Sequence, residues 1–315
     1  MKQESEPTLR CAGFLISFEQ NHQGLSMIGS SELIINSDGS IFHLHLKPEQ
    51  IADNVILVGD PGRVEMIASL FSQIEFKVSN REFVTVTGTF KKTRITVIST
   101  GIGTDNIDIV INELDALVNV DFETREIKTE KRKLNIIRIG TSGGLQPFLD
   151  VNSFVISRKA IGFDGLLNFY AGRNSVSDLD FETNFKNHVD WNPLLTSPYV
   201  VDASPELFDK INGPNFASGV TISAPGFYGP QGRVLRLPIV DPEINPKIES
   251  FNYADYKITN YEMECSAIYG LSALLGHRAL TVCLIIANRL SKQANGDYHT
   301  MMKKLIQLVL DKLAE

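Results

Sequence analysis

Val55-Ile-Leu-Val-Gly59-Asp60-Pro61-Gly62-Arg63-Val64-Glu65-Met66 decides the fold class. Its first four residues are apolar and mostly β-branched, a run suited to a short buried strand. Asp60 then offers a side-chain acceptor at a helix N-cap. Pro61 sits at the first helical position, where its missing N–H costs nothing. The stretch reads as a strand turning into a helix, predicted to run as far as residue 71. The same alternation continues outward. Residues 76–89 and 94–100 alternate apolar and polar side chains as hairpin strands do. A helix is predicted at 106–117, buried strands at 134–140 and 153–161, and a strand at 215–224. Then come a helix at 265–275, a strand at 279–287 and a terminal helix at 298–313. Buried strands interleaved with helices predict an α/β fold with helices on both sheet faces.

Three segments depart from this rhythm. Residues 1–40 lack sustained periodicity and predict a loosely held extension, with Met27 a candidate start. Residues 118–133 are charged and predict an exposed hairpin or loop. Residues 238–256 carry three prolines. None reads as a linker, so one domain is expected over 41–315.

A net charge of −7 and a pI near 5.5 weigh against nucleic-acid and anionic-membrane binding, which need basic surfaces. No stretch of 18 apolar residues predicts a membrane span. Cys11, Cys265 and Cys283 are odd in number and far apart, so neither a disulfide framework nor a zinc site is expected. The last two lie in apolar runs, as buried thiols of a cytoplasmic protein do.

Two motifs carry chemistry. Arg138-Ile-Gly-Thr141-Ser-Gly-Gly144 sets an arginine inside a buried strand, where it needs an anionic partner. With Thr141, the glycines after it, and Gly59 and Arg63 at the first strand-to-helix turn, this is the makeup of a phosphate site. A structural arginine–carboxylate pair is the alternative at Arg138. Phe227-Tyr-Gly-Pro-Gln231-Gly-Arg233 puts an amide and a guanidinium two residues apart in a Gly/Pro loop, able to read the O, N–H, O edge of a heterocycle such as uracil. Glu262 and Glu264 bracket Met263. They read either as charges favouring a helix start or as a carboxylate for vicinal ribose hydroxyls. Gly140-x-Ser142-x-Gly144 matches a hydrolase nucleophile elbow, but no helix follows the serine and no Asp–His pair stands out. Gly101-Ile-Gly103 lacks the third glycine of a dinucleotide fingerprint.

Phe42-His43-Leu44, Gly59-Asp60-Pro61-x-Arg63, Arg81-Glu82-Phe83, Arg138-Ile-Gly-Thr141, the Gln231-x-Arg233 loop and Asn260-Tyr-Glu-Met-Glu264 together resemble the nucleoside phosphorylase family of purine/uridine phosphorylase type, closest to its uridine-cleaving branch. The likeness runs in order from about residue 42 to the C-terminus. It implies a three-layer α/β/α sandwich around a mixed, partly barrel-like sheet, of phosphorylase/hydrolase-like kind. It also implies phosphorolysis of uridine, deoxyuridine or thymidine to free base and pentose 1-phosphate in pyrimidine salvage. By position, Gly59, Arg63, Arg81, Arg138 and Thr141 resemble the phosphate site. His43, Met263 and Glu264 resemble the ribose contacts, and Phe227, Gln231 and Arg233 the base contacts. Arg138, Gln231 and Arg233 would carry catalysis. Arg81 and His43 resemble residues that cross to a neighbouring subunit, which implies a homo-oligomer with shared sites, a dimer or a trimer of dimers. No metal or organic cofactor is implied, only inorganic phosphate as co-substrate. Gly103-Thr-Asp-Asn106 replaces a Gly-Pro-Ser type of sequence, which weighs against an interfacial potassium ion although Glu82 is present.

A purine nucleoside phosphorylase, a hydrolytic nucleosidase, a serine hydrolase and a non-catalytic nucleoside-binding protein are the rival readings. Ala287-Asn288-Arg289 stands where the hexameric purine enzymes carry an aspartic acid, and an asparagine supplies no proton.

Overall fold

The computed structural model describes residues 27–315. Cys11 and most of the expected N-terminal extension lie outside them. In chain order the strands are β1 (Asn54–Val58), β2 (Gln73–Asn80), β3 (Phe83–Phe90), β4 (Thr93–Ser99), β5 (Asn135–Gly144), β6 (Phe154–Gly162), β7 (Tyr199–Asp202), β8 (Phe216–Ser223), β9 (Asn252–Tyr253), β10 (Tyr256–Glu262) and β11 (Arg278–Asn288). The helices are α1 (Pro61–Ala68), α2 (Thr104–Asn119), α3 (Leu179–Val189), α4 (Pro205–Ile211), α5 (Ile244–Ser250), α6 (Cys265–Leu275) and α7 (His299–Ala314).

All eleven strands join one mixed sheet in the order β2-β3-β4-β1-β5-β11-β6-β8-β10-β9, with β7 on β6. The sheet closes on itself because β10 also pairs with β5, making a five-strand barrel of β5, β11, β6, β8 and β10. The closing rungs are Asn260 to Gly144 and Tyr261 to Gly143. An added Cβ at Gly143 would lie 3.3 Å from Arg289 Nε, and one at Gly144 3.2 Å from Asn288 Nδ2. The glycine pair thus lets three strands meet.

The helices cover both faces. α6 packs on β6, β7, β8 and β11 and carries α2 against it; α4 and α7 pack on each other and on β11; α1 covers β1, β3 and β4. The central strands are buried on both faces, which explains their near-continuous apolar sequence. The three-layer α/β/α class with a partly barrel-like sheet is therefore what the chain adopts.

The boundaries shift in instructive places. α1 stops at Ala68 rather than residue 71. The expected strand 76–89 is two strands broken at Arg81, whose φ of 54° makes the hairpin turn. Residues 238–256 hold α5 and β9 despite their prolines. Residues 28–40, expected within the loose extension, are pinned: Ile28 N donates to Arg125 O at 2.8 Å, Arg125 donates back to carbonyls of Ile28, Gly29 and Leu33, and Leu33 joins the core.

Candidate active site

The first half of the site lies where β1 and β5 run parallel side by side. Asp60 caps α1 by accepting from Gly62 N at 3.0 Å, as its position predicts. That orients Arg63 inward, 6% exposed, where its Nη1 donates to Ile139 O at 3.1 Å. No carboxylate among the described residues lies within ion-pair distance of Arg63, and burial together with the charge of Arg138 pulls its pKa down. A buried, uncompensated guanidinium is a place for an anion. Thr141 is half-buried three residues beyond Arg138 on the same strand. Gly59, immediately after β1, leaves backbone space against Gly101 O, which a Cβ would meet at 3.3 Å.

Arg138, 5% exposed, lies along β5 toward Gly140, where an added Cβ would land on its Nη1. Because β10 runs antiparallel to β5 and Tyr261 faces Gly143, the chain beyond Tyr261 is carried back along β5 to Arg138. Arg138 Nη2 donates to Glu264 Oε2, and Glu262 Oε2 lies 3.6 Å from Arg138 Nη1. Burial alone works against the Arg138 charge, but Glu264 and Glu262 outweigh it and hold the guanidinium firmly protonated. The structural alternative raised by the sequence is what is seen at Arg138, which has its carboxylates, while its charge also acts on Arg63.

The two glutamates differ in duty. Glu262 ends β10 and caps α6, accepting from Ser223 Oγ at 2.6 Å and from the N–H groups of Glu264 and Cys265 at 3.0 Å. Burial pushes its pKa up to about 7, with Glu264 adding to the rise and Arg138 opposing it. Glu264 accepts from Gly103 N at 2.8 Å through its other oxygen. Gly103 has φ 103°, a backbone that favours glycine at this N-cap of α2. Met263 lies between the two, half-buried. Ser142 and Cys283 complete the wall. Ser142 Oγ is buried without a partner, and Cys283 Sγ lies 3.8 Å from Arg138 Nη1 with burial pushing its thiol up to about 12. β5 continues through Ser142 to Gly144, so no nucleophile elbow exists there.

The second half is the loop after β8. Gln231 is 2% exposed, and its amide oxygen accepts from Arg233 Nη1 at 2.6 Å and Arg289 Nη2 at 3.0 Å. With the oxygen taken, the amide N–H₂ is left for a ligand. Arg233 also donates to Phe227 O at 2.5 Å and stacks 3.6 Å from the centre of the Phe227 ring, which is 49% exposed. Burial and the neighbouring Arg289 push the Arg233 pKa down to about 10. A cavity of about 780 Å³ opens beside Arg233 and Tyr228, lined by Phe163 and Trp191 among others. Sequence reading missed Arg289. Its one sequence signal is the Asn288-Arg289 pair at the end of a buried strand. That asparagine is fully employed: Nδ2 donates to Gln146 O and Leu149 O, and Oδ1 accepts from Leu290 N and Ser291 N.

His43 and Arg81 stand apart from both halves. Glu113 on α2 accepts from His43 N and lies 2.7 Å from His43 Nδ1; Asn80 donates to His43 O. Phe42 stacks edge-on to His43, and Arg81 lies over the Phe42 ring at 5.6 Å. The two form one surface patch with no hydrogen bond or ion pair to Arg138, Gln231 or Arg233.

The sequence model of the family described as Phosphorylase superfamily matches residues 53–315. The chain belongs to the phosphorylase superfamily. Within it, the chain is 30% identical over 270 residues to a uridine phosphorylase of Thermococcus kodakarensis, 84% of this chain and 83% of that protein. It is likewise 30% identical over 246 residues to a DeoD-type purine nucleoside phosphorylase of Listeria welshimeri, 77% of this chain and 85% of that one. The crystal structure of a Trypanosoma brucei nucleoside phosphorylase that shows uridine phosphorylase activity superposes with a TM-score of 0.82 at 31% identity, covering 90% of this chain and 99% of that chain.

Proposed function

We propose that this chain is a uridine phosphorylase, cleaving uridine, and by the same chemistry deoxyuridine or thymidine, into free base and pentose 1-phosphate. The observation that carries it is the buried Arg63 guanidinium without a carboxylate, beside an Arg138 whose own charge is already matched. The Arg63 charge, which no carboxylate among the described residues pairs, suits a phosphate anion. Phosphate held there attacks C1′ while the glycosidic bond breaks, so the sugar passes through a cationic state with the anion next to it. Glu264 suits the ribose hydroxyls, with Met263 beside the sugar. The departing uracil carries negative charge on its oxygens, and Arg233, Gln231 Nε2 and Arg289 are the donors at hand. Fixing both reactants in one site adds a proximity contribution.

Asn288 favours pyrimidines over the purine reading, since its amide is spent on backbone groups and cannot protonate a purine. No organic cofactor enters this scheme; inorganic phosphate is the co-substrate. The His43–Phe42–Arg81 patch supports a homo-oligomer in which these residues complete a neighbour's site. No described helix is long and apolar enough to cross a membrane, and free, buried Cys265 and Cys283 suit a reducing cytoplasm.

The test is uracil release from uridine with and without phosphate, with inosine in parallel. Release that requires phosphate and spares inosine is expected. Release without phosphate would mean a hydrolase, and cleavage of inosine alone would refute the base assignment.

A further inference from the structure

Asp164 lies two residues beyond β6 and takes no part in the scheme above. Its Oδ1 accepts from Leu166 N at 2.8 Å and from Tyr199 Oη at 3.0 Å, and its Oδ2 accepts from Ser266 Oγ at 3.0 Å. Tyr199 and Ser266 are fully buried, and their oxygens lie 3.0 Å apart. Room for this group is built in, since an added Cβ at Gly162 would collide with the Tyr199 ring. Burial pushes the Asp164 carboxyl up, and its three donors pull it back. Among the described residues no cation lies within ion-pair distance, so its hold rests on those hydrogen bonds.

Ser266 links this group to the active site. It is the second residue of α6, and its N–H donates at 2.8 Å to Ser223 Oγ, which donates to Glu262 Oε1. Glu262 in turn accepts from the N–H groups of Glu264 and Cys265. The first turn of α6 is therefore gripped twice, by Glu262 from the β10 side and by Asp164 from the β6 side. Glu264 heads that turn, its own N–H held by Glu262 and Ser266 held by Asp164 two residues on.

We propose that Asp164, with Tyr199 and Ser266, is the positioning group that sets Glu264 against the ribose hydroxyls, and so fixes the preference for ribo- over deoxyribonucleosides. This rests on the uridine phosphorylase reading. A carboxylate that reads two vicinal hydroxyls loses most of its discrimination when displaced by a fraction of a hydrogen-bond length, and misplacement of about 1 Å costs up to about 100-fold in rate.

The experiment compares kcat/KM for uridine and 2′-deoxyuridine in the wild type, Asp164→Asn and Tyr199→Phe. Both variants keep their side-chain volume. The ratio of uridine to 2′-deoxyuridine is expected to fall about tenfold or more in each, through KM for uridine more than through KM for phosphate. An unchanged ratio with only a lowered melting temperature would overturn the proposal, since a purely structural role predicts that result. Should Asp164→Asn fail to fold, Tyr199→Phe carries the same readout. A crystal structure of either variant decides independently of activity. Glu264 displaced from Arg138 and Gly103 N supports the proposal, and Glu264 in place refutes it. If the wild type released no uracil, the functional reading would fall while this crystallographic readout still stood.

Discussion

The proposed chemistry draws on both the Arg138 cluster and the loop at 225–240, and the two are built in opposite ways. Arg138 and Glu262 lie within strands and Glu264 at the N-cap of α6, all buried, with each charge held by others. The loop is Gly/Pro-rich, its Val234, Leu235, Leu237 and Val240 are exposed, and its arginine folds back on its own backbone. The first region holds its groups by pairing inside the fold, so the proposed chemistry gives it the step common to every substrate. The second is shaped by short-range contacts in an open cavity, so it suits the choice among bases. Sites often pair a rigid scaffold with a variable loop.

The largest effect should fall on the buried side. Arg138→Ala leaves Glu262 and Glu264 buried together without a cation, so unfolding free energy should drop by about 3–5 kcal/mol. Activity should fall by about 100-fold or more as the donor is lost. Arg63→Ala, by contrast, removes a buried cation without a carboxylate partner and should leave the melting temperature unchanged or raised while KM for phosphate climbs. Thermal melts and phosphate titrations on both variants check this. Equal destabilisation by the two would break the distinction between a charge matched by the protein and one reserved for a ligand.

The loop side should respond through substrate alone. Arg233→Ala loses charge-assisted hydrogen bonds worth about 1.5–3 kcal/mol, an increase of about 10- to 150-fold in KM for uridine. Stability should move far less than in Arg138→Ala, because Gln231 Oε1 keeps Arg289 as a donor. Steady-state kinetics beside a denaturant melt would show it. If uridine kinetics stayed at wild-type values, the base would not be read by this loop.

The sequence conveyed the buried region better than the loop. Val55–Val58 and the strand around Arg138 are apolar runs whose period and length allow few other structures, and α6 matches its predicted bounds. Arg138 was legible because a charge amid isoleucines demands a partner, although which carboxylate supplies it depends on barrel closure, a long-range event with no local signature. The break at Arg81 was hidden because residues on both sides of it alternate alike, and only a positive φ marks the turn. Arg289 was hidden for another reason. It follows a strand from a distant part of the chain and meets Gln231 only once β11 lies beside β5. His43 and Arg81 were recognisable only by resemblance, since nothing within one chain requires them to face a ligand.

The last test is by pH. Glu262 is raised from the ordinary 4.5 to about 7, so between those values the folded chain binds a proton there that the unfolded chain has released. Stability therefore falls as pH rises through this window, because the slope follows the difference in bound protons between unfolded and folded states. The contribution is fully present below the ordinary glutamate range and is lost once pH passes about 7. Glu262→Gln cannot release that proton, so its stability should decline less steeply than that of the wild type from pH 5 to 7.5. Ser223 and Arg138 are its neighbours in both forms, so other titrating groups cancel in the difference. Parallel denaturant melts of the two proteins across this range measure it. Curves that run parallel would mean that Arg138 keeps Glu262 ionised throughout, and the cluster would then be a fixed ion triad rather than a titrating one.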